Sequence, residues 1–171
     1  SWATYLEDTL ADFEFLSNLP GKKIISKGNH DYWWTTMSKL NQFKEEKNLH
    51  DITFLNNNAV LYKDIAICAT RGWKSPFDKD FKKEDEKIYE REIVRLRLSL
   101  TEGAKLSERK IVMLHYPPEV GMREVLDEFN VEKCIFGHLH TKPSWDTRPI
   151  NDRDILVSAD FLEFKPLKIM E

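Results

Sequence analysis

Residues 132–140, Glu132-Lys133-Cys134-Ile135-Phe136-Gly137-His138-Leu139-His140, decide how this chain reads: a short apolar run ends abruptly in a glycine and two histidines. The same construction occurs twice more. Ile111-Val112-Met113-Leu114 runs into His115, and Ile24-Ile25 leads to Gly28-Asn29-His30-Asp31. Short apolar runs bounded by turn residues fit buried strands. In an open α/β sheet the loops at the carboxyl ends of parallel strands converge on one crevice, where ligands bind. The chain has five histidines, and four of them lie in these three loops. Imidazole is the commonest metal ligand and changes charge near neutral pH. Histidines carried to one rim by three strands therefore predict a metal-dependent active site.

Outward from these loops, helix and strand patterns alternate. Trp2, Leu6, Leu10 and Phe13 mark an amphipathic helix that stops by Leu19-Pro20-Gly21. Lys22 to Lys27 is a strand, and Trp33, Met37 and Leu40 stripe the next helix. Ala59–Tyr62 and Ile65–Ala69 flank Lys63-Asp64 as a β-hairpin. Tyr89, Ile93, Leu96 and Leu100 mark the longest helix, with Gly103 placed as its C-cap. Then come a strand at Lys110–Leu114, a helix through Met122, Val125, Leu126 and Phe129, and strands at Glu132–Phe136 and Ile155–Ser158. Crossover units mixed with a hairpin predict a layered α/β domain rather than a purely parallel one.

Composition narrows the class. At 171 residues the chain is one domain's worth of material, able to bury a core. A net charge of -3 leaves no electrostatic footprint for general nucleic-acid binding. No apolar stretch approaches the ~20 residues that span a bilayer, so no membrane partner is expected. Cys68 and Cys134 sit inside strand candidates and lack Cys-x-x-Cys spacing, which reads as two buried thiols in a reducing cytoplasm. Oligomeric state has no readable signal.

Taken in order, Gly28-Asn29-His30-Asp31, the strand-end His115 and Gly137-His138-Leu139-His140 resemble the later motifs of the calcineurin-like metallophosphoesterases. Trp33-Trp34, Arg71-Gly72-Trp73, the helix from Asp85 to Glu92, His115-Tyr116-Pro117-Pro118 and Val157-Ser158-Ala159-Asp160-Phe161 resemble a bacterial phosphoesterase branch of that family. The resemblance runs over essentially the whole chain. It implies a sandwich of two mixed β-sheets flanked by helices. The family's opening motifs, Asp-x-His and Gly-Asp, do not occur in this sequence. Residues 1–171 are therefore expected to form a single metallophosphoesterase domain, incomplete at its N-terminus and lacking the first strand or strands.

The resemblance also implies the chemistry. Two divalent cations ~3.5–4 Å apart polarise a phosphoryl group and lower the pKa of a bound water, so that a phosphate mono- or diester is hydrolysed. Asn29, His115 and His138 would hold one cation and His140 the other, with manganese, iron or zinc suiting such ligands. For His138 and His140 to serve separate cations, the loop must turn between them. His30 would stabilise the transferring phosphoryl group and protonate the leaving oxygen. Asp31 would orient the His30 ring and favour its charged form, and Gly28 would let the strand end in a tight turn. The fragment as given is expected to be a poor catalyst acting on a small phosphoester.

Blander readings compete at several positions. His50 fits a solvated helix exit, Trp33-Trp34 fit core packing, and Tyr116-Pro117-Pro118 fits a rigid turn. The run from Asp78 to Arg91 fits a solvated helix face with its preceding loop. Pocket walls are expected from Gly72–Phe81, with Trp73 among them, and from Lys142–Asp154. Two rival functions remain: a non-catalytic binding scaffold with this fold, and a mononuclear zinc hydrolase built on His115, His138 and His140. The first predicts eroded ligands, and the second leaves Asn29-His30-Asp31 without a job.

Overall fold

The computed structural model describes residues 1–140 and 152–170. Its elements run α1 (Leu10–Ser17), β1 (Lys23–Ser26), α2 (Met37–Glu46), β2 (Ile52–Leu55), β3 (Asn58–Tyr62), β4 (Ile65–Ala69), α3 (Lys83–Leu106), β5 (Arg109–Leu114), α4 (Val120–Glu128), β6 (Lys133–Phe136) and β7 (Asp154–Leu156). β1 and β2 pair in parallel as one small sheet. The other sheet has the order β3-β4-β5-β6-β7, antiparallel between β3 and β4 and parallel thereafter. This is the mixed α/β sandwich with flanking helices that the sequence predicts.

Period-two alternation sorts the apolar residues of the inner strands into three seams. Ala66 and Cys68 of β4, Val112 and Leu114 of β5, and Cys134 and Phe136 of β6 face Leu96 and Leu100 of α3 and Leu126 of α4. The intervening residues Ile65, Ile67, Ala69 and Ile111 face the other way, against Leu55 of β2 and Ile24 of β1. Ile25, Ile52 and Phe54 then turn outward to Phe13, Leu40 and Phe43 of α1 and α2. The result is four layers, helices, large sheet, small sheet, helices. β4 is buried on both faces and carries no polar residue, as a doubly covered strand must.

Several local expectations need correction. Trp2 is not on a helix but 91% exposed ahead of a 3-10 turn at Leu6–Thr9. β2 carries no clear signal in the sequence, because Ile52-Thr53-Phe54-Leu55 is only four residues long and lacks a flanking glycine or proline. Gly103 does not cap α3: it lies within the helix, which ends three residues later at Leu106. A methyl group at position 103 would run into Cys68 Sγ, so the glycine lets α3 lie close on β4. The Lys63-Asp64 hairpin is as expected, with Lys63 taking the left-handed conformation (φ 53) that closes it. Cys68 and Cys134 are free and fully buried. Trp33 and Trp34 are buried in the outer aromatic seam beside Phe13 and Phe54. No helix among the described residues is long and apolar enough to cross a membrane.

Candidate metal centre

The loops after β5 and β6 leave neighbouring parallel strands at the same end of the large sheet, and the loop after β1 meets them there, Asn29 touching His115. Backbone hydrogen bonds extend the large sheet into these loops. The His115 N–H donates to Arg71 O at 2.9 Å, and Gly137 N–H donates to His115 O at 3.2 Å. The small sheet supplies Asn29 from the opposite layer. Its Oδ1 lies 2.7 Å from His115 Nε2, and His138 Nδ1 lies 3.2 Å from that same nitrogen.

Gly28 has a different reason from the one expected. Its φ is not positive, and the constraint is close approach instead. A Cβ there would stand 3.3 Å from His115 Nδ1 and 3.1 Å from Asp31 Oδ2. Asp31 also departs from expectation. Its carboxylate accepts from the Gly28 N–H at 2.7 Å and from Trp33 Nε1 at 3.2 Å. It braces the Asn29 loop, and no hydrogen bond joins it to the His30 ring among the described residues. The exposed His30 ring instead neighbours Trp2 at 5.8 Å and Tyr32 at 6.1 Å between ring centroids.

The loop does turn between the last two histidines. His138 has φ 68, and Leu139 N–H donates to Gly137 O at 2.8 Å, a three-residue turn of the strained kind. It sends the rings to different cavities. His140 lines a cavity of about 420 Å³ with Lys27, Asn29, His30 and His115. His138 lines one of about 500 Å³ with Trp73, Lys74, Asp80 and Tyr116, and Asn29 belongs to both. His140 Nδ1 is 3.3 Å from Asp160 Oδ2.

Burial sets the charge of these groups. The His115 imidazole is pushed down to about 4, first by burial and then by the neighbouring His138 and Arg71. His138 is lowered too, by burial and then by His140. Both rings are therefore neutral near pH 7, the form that binds a cation. The donor chemistry, two neutral imidazoles and an amide oxygen, fits a divalent ion. Two ligand atoms held tetrahedrally by one zinc at about 2.1 Å stand roughly 3.4 Å apart, so the 3.2 Å between the imidazole nitrogens approaches that of a shared ion, while the 2.7 Å to Asn29 Oδ1 is a hydrogen-bond distance that would have to open slightly. As hydrogen bonds alone the arrangement is frustrated, since one N–H on His115 Nε2 cannot serve both Asn29 Oδ1 and a second ring nitrogen. Among the described residues, no group of three histidine, cysteine or carboxylate side chains is placed to hold a metal. The cluster has two imidazoles, and its third member is an amide.

Sequence reasoning missed several neighbours. Tyr116 is buried, its ring 4.2 Å from that of His138 and 5.6 Å from that of Trp73. The Arg71 guanidinium lies 4.4 Å over the Trp73 ring. Lys27 lines the first cavity, and no hydrogen bond or ion pair ties its ammonium down among the described residues. Burial, then repulsion by Arg71, lowers the Lys27 ammonium below its ordinary value. The position of Lys27 directly before Gly28 was the available signal. The Asp78–Arg91 run is not simply a solvated face either. Asp85 is 8% exposed and accepts from Trp73 Nε1 at 2.9 Å and from Lys82 N–H at 2.8 Å at the start of α3. His50 is exposed near Glu45 and far from this rim in sequence and contact. The pocket wall expected from Gly72–Phe81 is present through Trp73, Lys74, Asp78, Lys79 and Asp80. Most of the Lys142–Asp154 wall lies outside the described residues.

Fold and rim together define a layered α/β domain with an imidazole–amide cluster at the end of its parallel strands. A family model for calcineurin-like phosphoesterases matches residues 1–142, and the chain belongs to that family. A solved structure matches it with a TM-score of 0.54 at 13% identity, covering 92% of this chain, which supports the fold. The chain spans 65% of that structure's length. A search of curated proteins finds no match.

Proposed function

We propose that the chain carries the histidine and asparagine side of a dinuclear centre that hydrolyses a phosphate mono- or diester. The observation that carries this reading is the convergence of Asn29 Oδ1 and His138 Nδ1 on His115 Nε2. In this reading Asn29, His115 and His138 hold one divalent cation and His140 belongs to the second. Bound cations of this kind polarise phosphoryl oxygens and make water a better nucleophile at neutral pH. The other groups act on the substrate. His30, exposed at the cavity mouth, is free to donate to the leaving oxygen. Lys27, half-buried beside Asn29 without a tight partner, supplies positive charge for phosphoryl oxygens. The cavity of Trp73, Lys74, Asp80 and Tyr116 adjoins His138 and receives the organic part of the ester.

Metal content of purified variants tests the assignment. His115→Ala should lose most of the bound divalent cation, while His50→Ala should keep it. Equal metal content in His115→Ala and the parent chain would remove the basis of the proposal.

A further inference from the structure

One buried charge has no part in this scheme. Glu92 of α3 is 1% exposed, one helical turn before the core residue Leu96. A buried carboxylate is costly unless its oxygens are fully occupied. Here they are. Oε1 accepts from Arg95 Nη1 at 2.6 Å, and Oε2 accepts from Thr70 Oγ1 at 2.8 Å and from Gly72 N–H at 3.1 Å. Thr70 and Gly72 bracket Arg71, whose carbonyl accepts from both His115 N–H at 2.9 Å and Tyr116 N–H at 3.2 Å. Gly72 sits at φ +74, with Tyr116 Cβ 3.5 Å from where its own Cβ would be. Ser99 lies two helical turns beyond Glu92 on the same face. It accepts from Ala69 N–H at 2.9 Å and donates to Asn58 O at 2.6 Å. α3 thus fastens the last residue of β4 through Ser99 and the loop beyond it through Glu92.

We infer that Glu92 is a positioning residue. Through the Thr70–Gly72 loop it fixes the backbone of His115 and Tyr116, and so presets the imidazole cluster without touching it. A helix whose task were only to cover the sheet would do so with an apolar residue at this position, as it does at Leu96 and Leu100. The charge is placed where it can hold two donors of one loop in a fixed, partly left-handed shape. The inference rests on the reading of His115 as a cation ligand, but its structural half can be measured with no metal present.

The test uses the full 171-residue chain and its variants Glu92→Gln and Thr70→Val. Amide hydrogen exchange is followed at His115 and Tyr116, with Val112 and Leu114 as internal references in β5. Loss of a charge-assisted hydrogen bond at the bracket should speed exchange of His115 and Tyr116 by about tenfold or more, with the references nearly unchanged. Thr70→Val, which removes one of the two bracket bonds together with the 2.9 Å contact of the same hydroxyl to Asn57 Oδ1 and keeps the carboxylate, should show a smaller change at the same two amides. It carries the test if Glu92→Gln does not fold. Titration with Zn²⁺ alone should then find affinity reduced about 10–100-fold in Glu92→Gln, the usual cost of losing a group that orients a ligand. Uniform acceleration at all four amides would reduce Glu92 to general stability and overturn the inference, as would unchanged exchange at His115. His115→Ala separates the two failures. If that variant binds Zn²⁺ as tightly as the parent, the ligand reading falls while the exchange result stands on its own.

Discussion

At the scale of single residues, His30 and His115 should be separable by experiment because they face different partners. In a chain with measurable turnover, His30→Ala should leave bound metal nearly intact and lower turnover. General acid catalysis contributes roughly 10²–10⁴-fold, so the deficit should fall in that range for esters with poor leaving groups. It should shrink for a nitrophenyl ester, whose leaving oxygen needs little protonation. Metal loss in His30→Ala as complete as in His115→Ala would make His30 a ligand instead. The depressed His115 pKa gives a second prediction. Its ordinary value is 6.5 and burial holds it at about 4 in the folded chain. Between those values the unfolded chain binds a proton that the folded chain refuses, so stability should fall as pH drops from about 6.5 towards 4. His138 is lowered and acts in the same direction. Urea midpoints of the metal-free chain across that window should show the drop, and His115→Gln should flatten it. An unchanged slope in His115→Gln would show that the imidazole is not held neutral by its surroundings.

At the scale of elements, Gly103 allows α3 to approach β4 at Cys68. Alanine there gains about 1 kcal/mol of helix propensity, but overpacking a tight contact costs about 1–3 kcal/mol, so Gly103→Ala should be destabilising on balance. Pairing it with Cys68→Ala removes the sulfur in the way and should recover most of the loss in a double-mutant cycle of urea midpoints. A single Gly103→Ala variant as stable as its parent would show that the helix can shift at no cost. The same glycine shows where sequence reading stopped. Strands β1, β4, β5 and β6 were legible because burial on one or both faces leaves an apolar run, and the three histidine loops because each interrupts such a run. Gly103 looked like a cap because a late helical glycine usually is one, and only the partner strand reveals the steric reason. Glu92 and Asp85 were hidden in a charged stretch, where nothing local marks which carboxylates turn inward. Adjacency in the sequence pairs Asp31 with His30, whereas the loop folds its carboxylate back onto Gly28 and Trp33.

At the scale of the whole molecule, the candidate centre is drawn from both layers of the sandwich. Asn29 follows β1 of the small sheet, and His115 and His138 follow β5 and β6 of the large one. A ligand that binds only the folded arrangement stabilises it by about 2.7 kcal/mol at a concentration one hundred times its dissociation constant. For a chain of this size that is a rise in Tm of roughly 5–10 °C. Saturating Zn²⁺ should produce such a rise in the parent chain and none in His138→Ala, measured by thermal unfolding. A parent chain whose Tm ignores the ion would mean that no cation joins the two layers. The placement of Asn29 opposite the two imidazoles carries one more consequence. An ion seated among them would be a removable cross-link between halves of the sandwich that no disulfide joins, since both cysteines are free. Metal supply would then govern how long the folded chain survives proteolysis.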